Sequence, residues 1–267
     1  MTGHSTGHAA APSTALAGRH ALVTGANRGI GAAIARAFSN AGASVTLMVR
    51  DAARGQSVAN TLTGPHTIVV ADVTDRAASQ AACAAAAAAL GPIDILVNNA
   101  GSAESAPFMK SDVALFERML AVHLMAAVHT SHAVLPSMLE RGTGYIVNIA
   151  SVAGLWGAPY ITAYTSAKHA LVGFTRALAL EVVARGVAVN AVCPGYTDTD
   201  LVQAAVNRIV AKTGRSAAEA EQSILADAGQ SRMISAEEVA NAVVALCTAP
   251  AGAPTGQAIV LDGTARA

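Results

Sequence analysis

The stretch from residue 21 to residue 38, ALVTGANRGIGAAIARAF, decides how the rest of the chain reads. An apolar run ending at Thr24 gives way to Gly25, Gly29 and Gly31, then to apolar residues at helical spacing, so the order is strand, tight turn, helix. Glycine lets a backbone turn sharply and approach a pyrophosphate, while the first helical turn presents unpaired N–H groups and the positive end of its dipole. The segment lacks the Gly-Lys-Ser/Thr ending of a P-loop. A dinucleotide is therefore the anion expected, with an ordinary strand-to-helix turn as the plainer alternative. The spacing Gly-x-x-x-Gly-x-Gly departs from the usual Gly-x-Gly-x-x-Gly fingerprint.

Outward from this unit, short β-branched runs alternate with alanine-rich helical segments, the pattern of a parallel sheet with helices on both faces. Strands are expected at 20–24, 44–49, 67–70, 93–98, 144–149, 187–192 and 258–261, and helices near 30–40, 77–89, 113–141, 164–184 and 236–249. The fold class is α/β: a single doubly wound Rossmann domain over residues 18–267, with a seven-stranded parallel sheet, behind a flexible tail at residues 1–17. Residues 197–233 break the alternation beyond a strand's carboxyl end, where ligands of such sheets bind. They are expected to form a substrate-covering lobe; a surface helix pair is the plainer reading.

Hydrophobic residues make up 53% of the chain and charged ones 13%, which supports a filled interior, and the formal charge of +0 argues against a nucleic-acid partner. Cys83, Cys193 and Cys247 have no CxxC spacing, so neither a disulfide framework nor a metal site is expected. Residues 119–139 are uncharged and long enough to cross a bilayer, yet they contain His123, His129, Ser131, His132 and Pro136. Hydrocarbon penalises those groups, so a helix packed on protein is expected, with no membrane partner. The first residues lack the pattern of a secretory signal, and a cytoplasmic location is expected.

Thr24-Gly25-Ala26-Asn27-Arg28-Gly29-Ile30-Gly31 resembles the TGxxxGxG motif of the short-chain dehydrogenase/reductase family. Further family motifs follow in order: Asp72-Val73, Asn98-Asn99-Ala100-Gly101, Ser151, Tyr164-x-x-x-Lys168, Asn190, Pro194-Gly195, and the ending from Thr255-Gly256-Gln257 to Asp262-Gly263. The resemblance spans residues 16–267. It implies that Gly25, Asn27, Arg28, Gly29, Ile30 and Gly31 hold the dinucleotide, that Asp72 and Val73 meet the adenine, and that Asn99 and Gly101 flank the ribose. It further implies that Pro194, Gly195, Thr197 and Thr199 hold the nicotinamide and that Tyr164 and Lys168 touch the cofactor as well as the substrate.

At the end of the second strand a carboxylate would bond a ribose 2′-hydroxyl, and a guanidinium would pair with a 2′-phosphate. The resemblance puts the acid at Val49, where there is none, and Arg50 and Arg28 are both within reach of a phosphate, so NADP(H) is favoured over NAD(H). Asp51 is the counter-indication, since a shift of one residue would bring its carboxylate to the ribose; Arg50 and Asp51 as a solvated loop pair is the plainer reading.

Tyr164 and Lys168 share one face of a helix. A phenol titrates near 10 in water, so a nearby ammonium is needed for acid–base work at neutral pH, and Lys168 is expected to lower the Tyr164 pKa. The resemblance gives Ser151 the task of holding the substrate oxygen that Tyr164 protonates, and gives Lys168 a bond to the nicotinamide ribose. Tyr160 has no lysine one turn on and is expected to line the substrate cavity or pack with Trp156. Where the family carries an asparagine that holds a water leading to the lysine, this chain has His123, within Val122-His123-Leu124. Histidine both donates and accepts, so it is expected to continue the relay, with a pH dependence near neutrality; filling space is the alternative.

The resemblance is strongest to 3-oxoacyl thioester reductases, through LERGTGYIVNIAS and VAVNAVCPGYTDTDL. It implies reduction of a ketone to a secondary alcohol, with a carrier-protein-bound or CoA thioester or a small ketone as substrate. A carrier would dock on basic residues, for which Arg141 and Arg185 are candidates, although Gly142 stands where carrier-dependent reductases have a docking arginine. An NAD-dependent dehydrogenase of a secondary alcohol or cyclic diol, and a non-catalytic nucleotide sensor, are the rival readings. The apolar faces of 119–139 and 164–184 and the last strand suggest subunit contacts, and the resemblance suggests a homotetramer.

Overall fold

The computed structural model describes residues 14–249 and 254–263. Seven strands, β1 (His20–Thr24), β2 (Ser44–Val49), β3 (His66–Val70), β4 (Ile95–Asn98), β5 (Gly144–Ile149), β6 (Val187–Pro194) and β7 (Ala258–Leu261), form one sheet in the order β3-β2-β1-β4-β5-β6-β7. Every pairing is parallel. The strand order reverses between β1 and β4, so a crevice opens at their carboxyl ends. This is the doubly wound Rossmann-type fold expected.

Successive strand residues point to opposite faces, and the core divides accordingly. Ala21 and Val23 of β1 pack with Ile34 and Phe38 of α1 (Gly29–Asn40) and with Val239 and Val243 of α9 (Ala236–Thr248). Leu22, between them, packs on the other face with Ala82 and Ala86 of α3 (Arg76–Leu90), Met138 of α5 (Ala126–Arg141) and Ala179 of α6 (Thr162–Val182). The alanine run of α3 permits close approach to the sheet at little entropic cost.

Several elements differ from expectation. A helix α2 (Ala52–Ala59) follows β2, because Asp51 accepts hydrogen bonds from the N–H groups of Ala53 and Arg54 and so starts it. The helix expected over 113–141 is α4 (Val113–Leu120), a π-helical turn at Ala121–Met125, and α5. By length and composition Val113–Arg141 would suffice to cross a membrane, but Ala126, Ala127, Val134 and Met138 join clusters against the sheet, and Leu115 and Met119 pack with Ala163 and Ala167 of α6. Residues 197–233 contain α7 (Asp200–Thr213) and α8 (Ala217–Asp227), packed together through Val206, Ala220 and Ile224. Of the tail expected at 1–17, residues 1–13 lie outside the described residues. Leu16 is 2% exposed and its N–H donates to the Ala41 carbonyl, so a tail extending to residue 17 is corrected at this point.

Candidate active site

The crevice is built around the first strand's end. Thr24 Oγ1 accepts the N–H groups of Asn99 and Ala100 at 2.9 and 3.0 Å, and Asn99 Nδ2 donates to the carbonyls of Thr24 and Gly25 at 2.9 and 3.3 Å. These bonds staple the turn after β1 to the turn after β4. The glycines are required by this closeness: a Cβ on Gly31 would lie 2.4 Å from Asn99 Nδ2, and one on Gly25 2.9 Å from Ala100 Cα. Gly25 and Gly29 also adopt φ of 65° and 51°, which other residues rarely do. Thr199 approaches Gly29 through its methyl group, so it borders the same turn.

Side chains cap α2, α3, α4, α8 and α9. Among the described residues none caps the N-terminus of α1, and its first turn holds no acid. A glycine-lined turn beneath uncapped N–H groups suits a pyrophosphate, so the residues present fit a dinucleotide. Asp72 accepts from Thr74 N and Oγ1, which holds its carboxyl below the ordinary range, with the Arg50 charge adding to the effect. Val73 is buried beside it. Asp51 is committed to capping α2 and to an ion pair with Arg54 at 3.5 Å. Arg28, largely exposed, pairs with Asp200 at 3.9 Å, a solvated contact of little strength.

The second half of the site stands where β5 ends and α6 begins. Ser151 stands close enough to Tyr164 for its hydroxyl to favour the phenolate, and its Oγ accepts the Ala153 N–H at 3.1 Å. Lys168 is 5% exposed; its Nζ donates to the Ile149 carbonyl at 2.8 Å and lies 5.6 Å from the Tyr164 ring centre. Burial pushes the lysine down to about 7. Burial likewise raises the Tyr164 phenol, against the lowering effect of Ser151, with Tyr196 adding to the rise. The expectation that Lys168 holds the phenol down is corrected for the free protein, where desolvation is the largest cause of the Tyr164 shift and its direction is upward.

His123 sits in the π-helical turn, 4% exposed, edge-on to Tyr164 with ring centres 5.3 Å apart. Its Nε2 lies 2.7 Å from the Ser102 carbonyl, which fixes the hydrogen there, and Nδ1 has no partner among the described residues. Gly101 makes room for the ring, since a Cβ on it would lie 2.6 Å from His123 Cε1. A cavity of about 10 Å³, the space one water needs, is lined by His123, Lys168, Thr24, Asn98 and Ile149 among others. Burial and the Lys168 charge hold the imidazole well below its ordinary value. The pH dependence near neutrality expected of His123 is therefore corrected: the ring stays neutral, and the group brought near 7 is Lys168.

Other expected residues fall at or outside the site. Pro194 ends β6 and Gly195 follows it, and Thr197 donates to the Gly195 carbonyl at 3.1 Å. Asn190 is elsewhere, bonded to the Pro254 carbonyl and the Gln257 N–H. Tyr160 is 63% exposed at φ 67°, and its carbonyl accepts the Ala106 N–H. Arg141 is held by Asp94 and the Ile93 carbonyl, which removes it as a free docking group. Sequence reading missed a buried network in which Thr130 donates to Asn98, Asn98 to Asn148, and Asn148 to Thr175. It ties β4, β5 and α5 to α6 and so sets the helix that carries Tyr164 and Lys168. Its signal was asparagine within two apolar strands, at positions that the register pairs.

The short chain dehydrogenase family profile matches residues 19–209. The chain is 39% identical over 248 residues to the uncharacterized oxidoreductase YxjF of Bacillus subtilis, covering 91% of this chain and 96% of that one. It is 34% identical over 248 residues to the 3-oxoacyl-[acyl-carrier-protein] reductase FabG of Haemophilus influenzae, covering 93% and 98%. The crystal structure of L-sorbose reductase from Gluconobacter frateurii, complexed with NADPH and L-sorbose, superposes with a TM-score of 0.87 at 30% identity, covering 95% of this chain and 97% of that one. With the glycine turn at one end of the crevice and the Ser151, Tyr164 and Lys168 side chains at the other, the chain belongs to the short chain dehydrogenase family and is an NAD(P)-dependent oxidoreductase acting between alcohol and ketone.

Proposed function

We propose that the protein reduces a ketone to a secondary alcohol with NADPH, the substrate being a 3-oxoacyl thioester or a similar small ketone. The observation that carries this reading is the half-buried Tyr164 phenol, close enough to Ser151 for its hydroxyl to lower the phenol and with Lys168 Nζ 5.6 Å from its ring centre, one helical turn on. When bound, the reduced nicotinamide supplies the hydride. Ser151 holds the carbonyl oxygen, and Tyr164 gives its proton to that oxygen as negative charge develops. A phenol raised by burial keeps its proton at neutral pH, which suits reduction, because an alkoxide is far more basic. Lys168, with a proton affinity poised near neutrality, replaces the proton on Tyr164. His123 Nδ1 accepts from a water in the adjoining cavity, orienting it toward Lys168.

Asn27, Ile30, Asn99, Pro194, Thr197 and the other turn residues hold the dinucleotide in this reading. NADP(H) is supported by Arg50 beside Asp72, by Arg28 held only loosely, and by Asp51 being occupied as a helix cap. The 3-oxoacyl thioester is supported by the likeness to FabG, while the pinned Arg141 weighs toward a CoA ester or free ketone over a carrier-bound one. The helix pair of 197–233 covers the substrate, and four copies assemble through the outer faces of α5 and α6, where Leu180 is 80% exposed. A spectrophotometric screen of 3-oxoacyl-CoA esters and simple ketones with NADPH and with NADH tests the proposal. Turnover with NADPH supports it; activity confined to NAD+ with secondary alcohols or diols favours the dehydrogenase reading.

A further inference from the structure

Gln230 joins the lobe to the turn that ends β6. The residue is 6% exposed, and its carboxamide meets the main chain of Tyr196 on both sides. Oε1 accepts the Tyr196 N–H at 2.8 Å, and Nε2 donates to the Tyr196 carbonyl at 2.8 Å and to the Arg232 carbonyl at 2.7 Å. The side-chain amide thus takes the place of a peptide group in a neighbouring strand. Ile234 continues the pairing: its N–H donates to the Tyr196 carbonyl at 2.9 Å, and its carbonyl accepts the Asp198 N–H at 2.8 Å, with Thr197 opposite in a parallel bridge.

Gly195 makes this contact possible, since a Cβ on it would lie 2.4 Å from Gln230 Oε1. On its other side the Gly195 N–H donates to Leu261 of β7 at 2.7 Å. The turn is therefore clamped between β7 and the segment that leaves α8. Its next residue, Tyr196, carries a phenol whose charge would oppose that of Tyr164. A buried amide with three satisfied bonds specifies one arrangement, because leaving the Tyr196 or Arg232 groups unpaired there costs their desolvation.

We propose that Gln230 is a positioning residue for the nicotinamide end of the cofactor site: it holds the turn 194–197 in the arrangement that grips the ring, and couples that grip to the lobe. The inference rests on the cofactor reading above. An apolar side chain of similar length satisfies none of the three bonds.

The test compares the reduced dinucleotide that the wild type prefers with its counterpart lacking the nicotinamide ring, 2′-phospho-ADP-ribose or ADP-ribose. Both are titrated calorimetrically into the wild type, Gln230→Met and Gln230→Glu; the second variant keeps length and one acceptor but sets a carboxylate against two carbonyls. The affinity ratio between the two nucleotides should fall about ten-fold in each variant, as expected for lost buried hydrogen bonds. The truncated nucleotide should bind with its affinity changed less than about two-fold. An unchanged ratio, or equal weakening of both nucleotides, overturns the proposal. Binding of neither nucleotide by the wild type overturns the cofactor reading itself, and the proposal with it.

Discussion

Replacing Lys168 by Met should make the free protein more stable while abolishing turnover. The side chain is 5% exposed, and burial displaces its pKa from 10.5 to about 7. At about 1.4 kcal/mol per tenfold change, carrying this ammonium inside costs roughly 5 kcal/mol wherever the folded lysine is protonated. Met matches its length and removes that cost, but it leaves the Ile149 carbonyl without the Nζ donor now at 2.8 Å. Losing that bond offsets about 1–3 kcal/mol, so the net gain near pH 6 is about 2–4 kcal/mol, or about 10 °C in melting temperature.

The pH dependence has a definite sign. A base with a lowered folded pKa destabilises fully below that pKa, about 7 here, and the penalty vanishes above 10.5, the unfolded value. Between these limits the unfolded chain binds the extra proton. Wild-type stability therefore rises by about 1.4 kcal/mol per pH unit, and the variant's advantage shrinks by about 3 kcal/mol between pH 7 and pH 9. Denaturant titrations of both proteins at pH 6, 7.5 and 9 measure this. A difference independent of pH, or a wild type more stable at pH 6, would refute the claim that desolvation dominates at Lys168.

Tyr164→Phe should lower kcat by ~10²–10⁴-fold while leaving cofactor affinity nearly intact; retention of more than about a tenth of the rate counts heavily against the assignment of Tyr164 as proton donor. Because burial raises the phenol, alcohol oxidation, which needs the phenolate, should accelerate with pH up to and beyond the ordinary phenol range. A pH–rate profile checks this, and a level oxidation profile contradicts it. Gly31→Ala places a Cβ 2.4 Å from Asn99 Nδ2 and 2.5 Å from the Gly25 carbonyl; overpacking of ~1–3 kcal/mol should weaken dinucleotide binding about ten-fold or more by calorimetry. His123→Asn should lower kcat several-fold without moving the apparent pKa of the rate profile, since the imidazole stays neutral; an unchanged rate leaves His123 as packing alone.

The glycine spacing after Thr24 and the alternation of β-branched runs with alanine-rich helices were enough to place β1, α1 and a doubly wound sheet, because glycine conformation and side-chain period are local properties of the chain. The Tyr164 and Lys168 pair was legible for the same reason: four residues make one helical turn. Helix α2 was overlooked because Asp51 carries two local meanings, ribose partner and helix cap, and only the fold chose between them. The π-helical turn at His123 breaks a hydrophobic pattern that reads as one helix.

Sequence by itself determined the fold class, the glycine turn after β1 and the candidate side chains proposed to handle the proton. Tertiary structure alone decided their protonation. Desolvation depends on what surrounds a group from every side, and that burial leaves Lys168 near 7, Tyr164 raised and His123 neutral. It also decided which polar residues are structural, since Asn98, Asn148 and Gln230 acquire their tasks from partners 27 or more residues away in the chain.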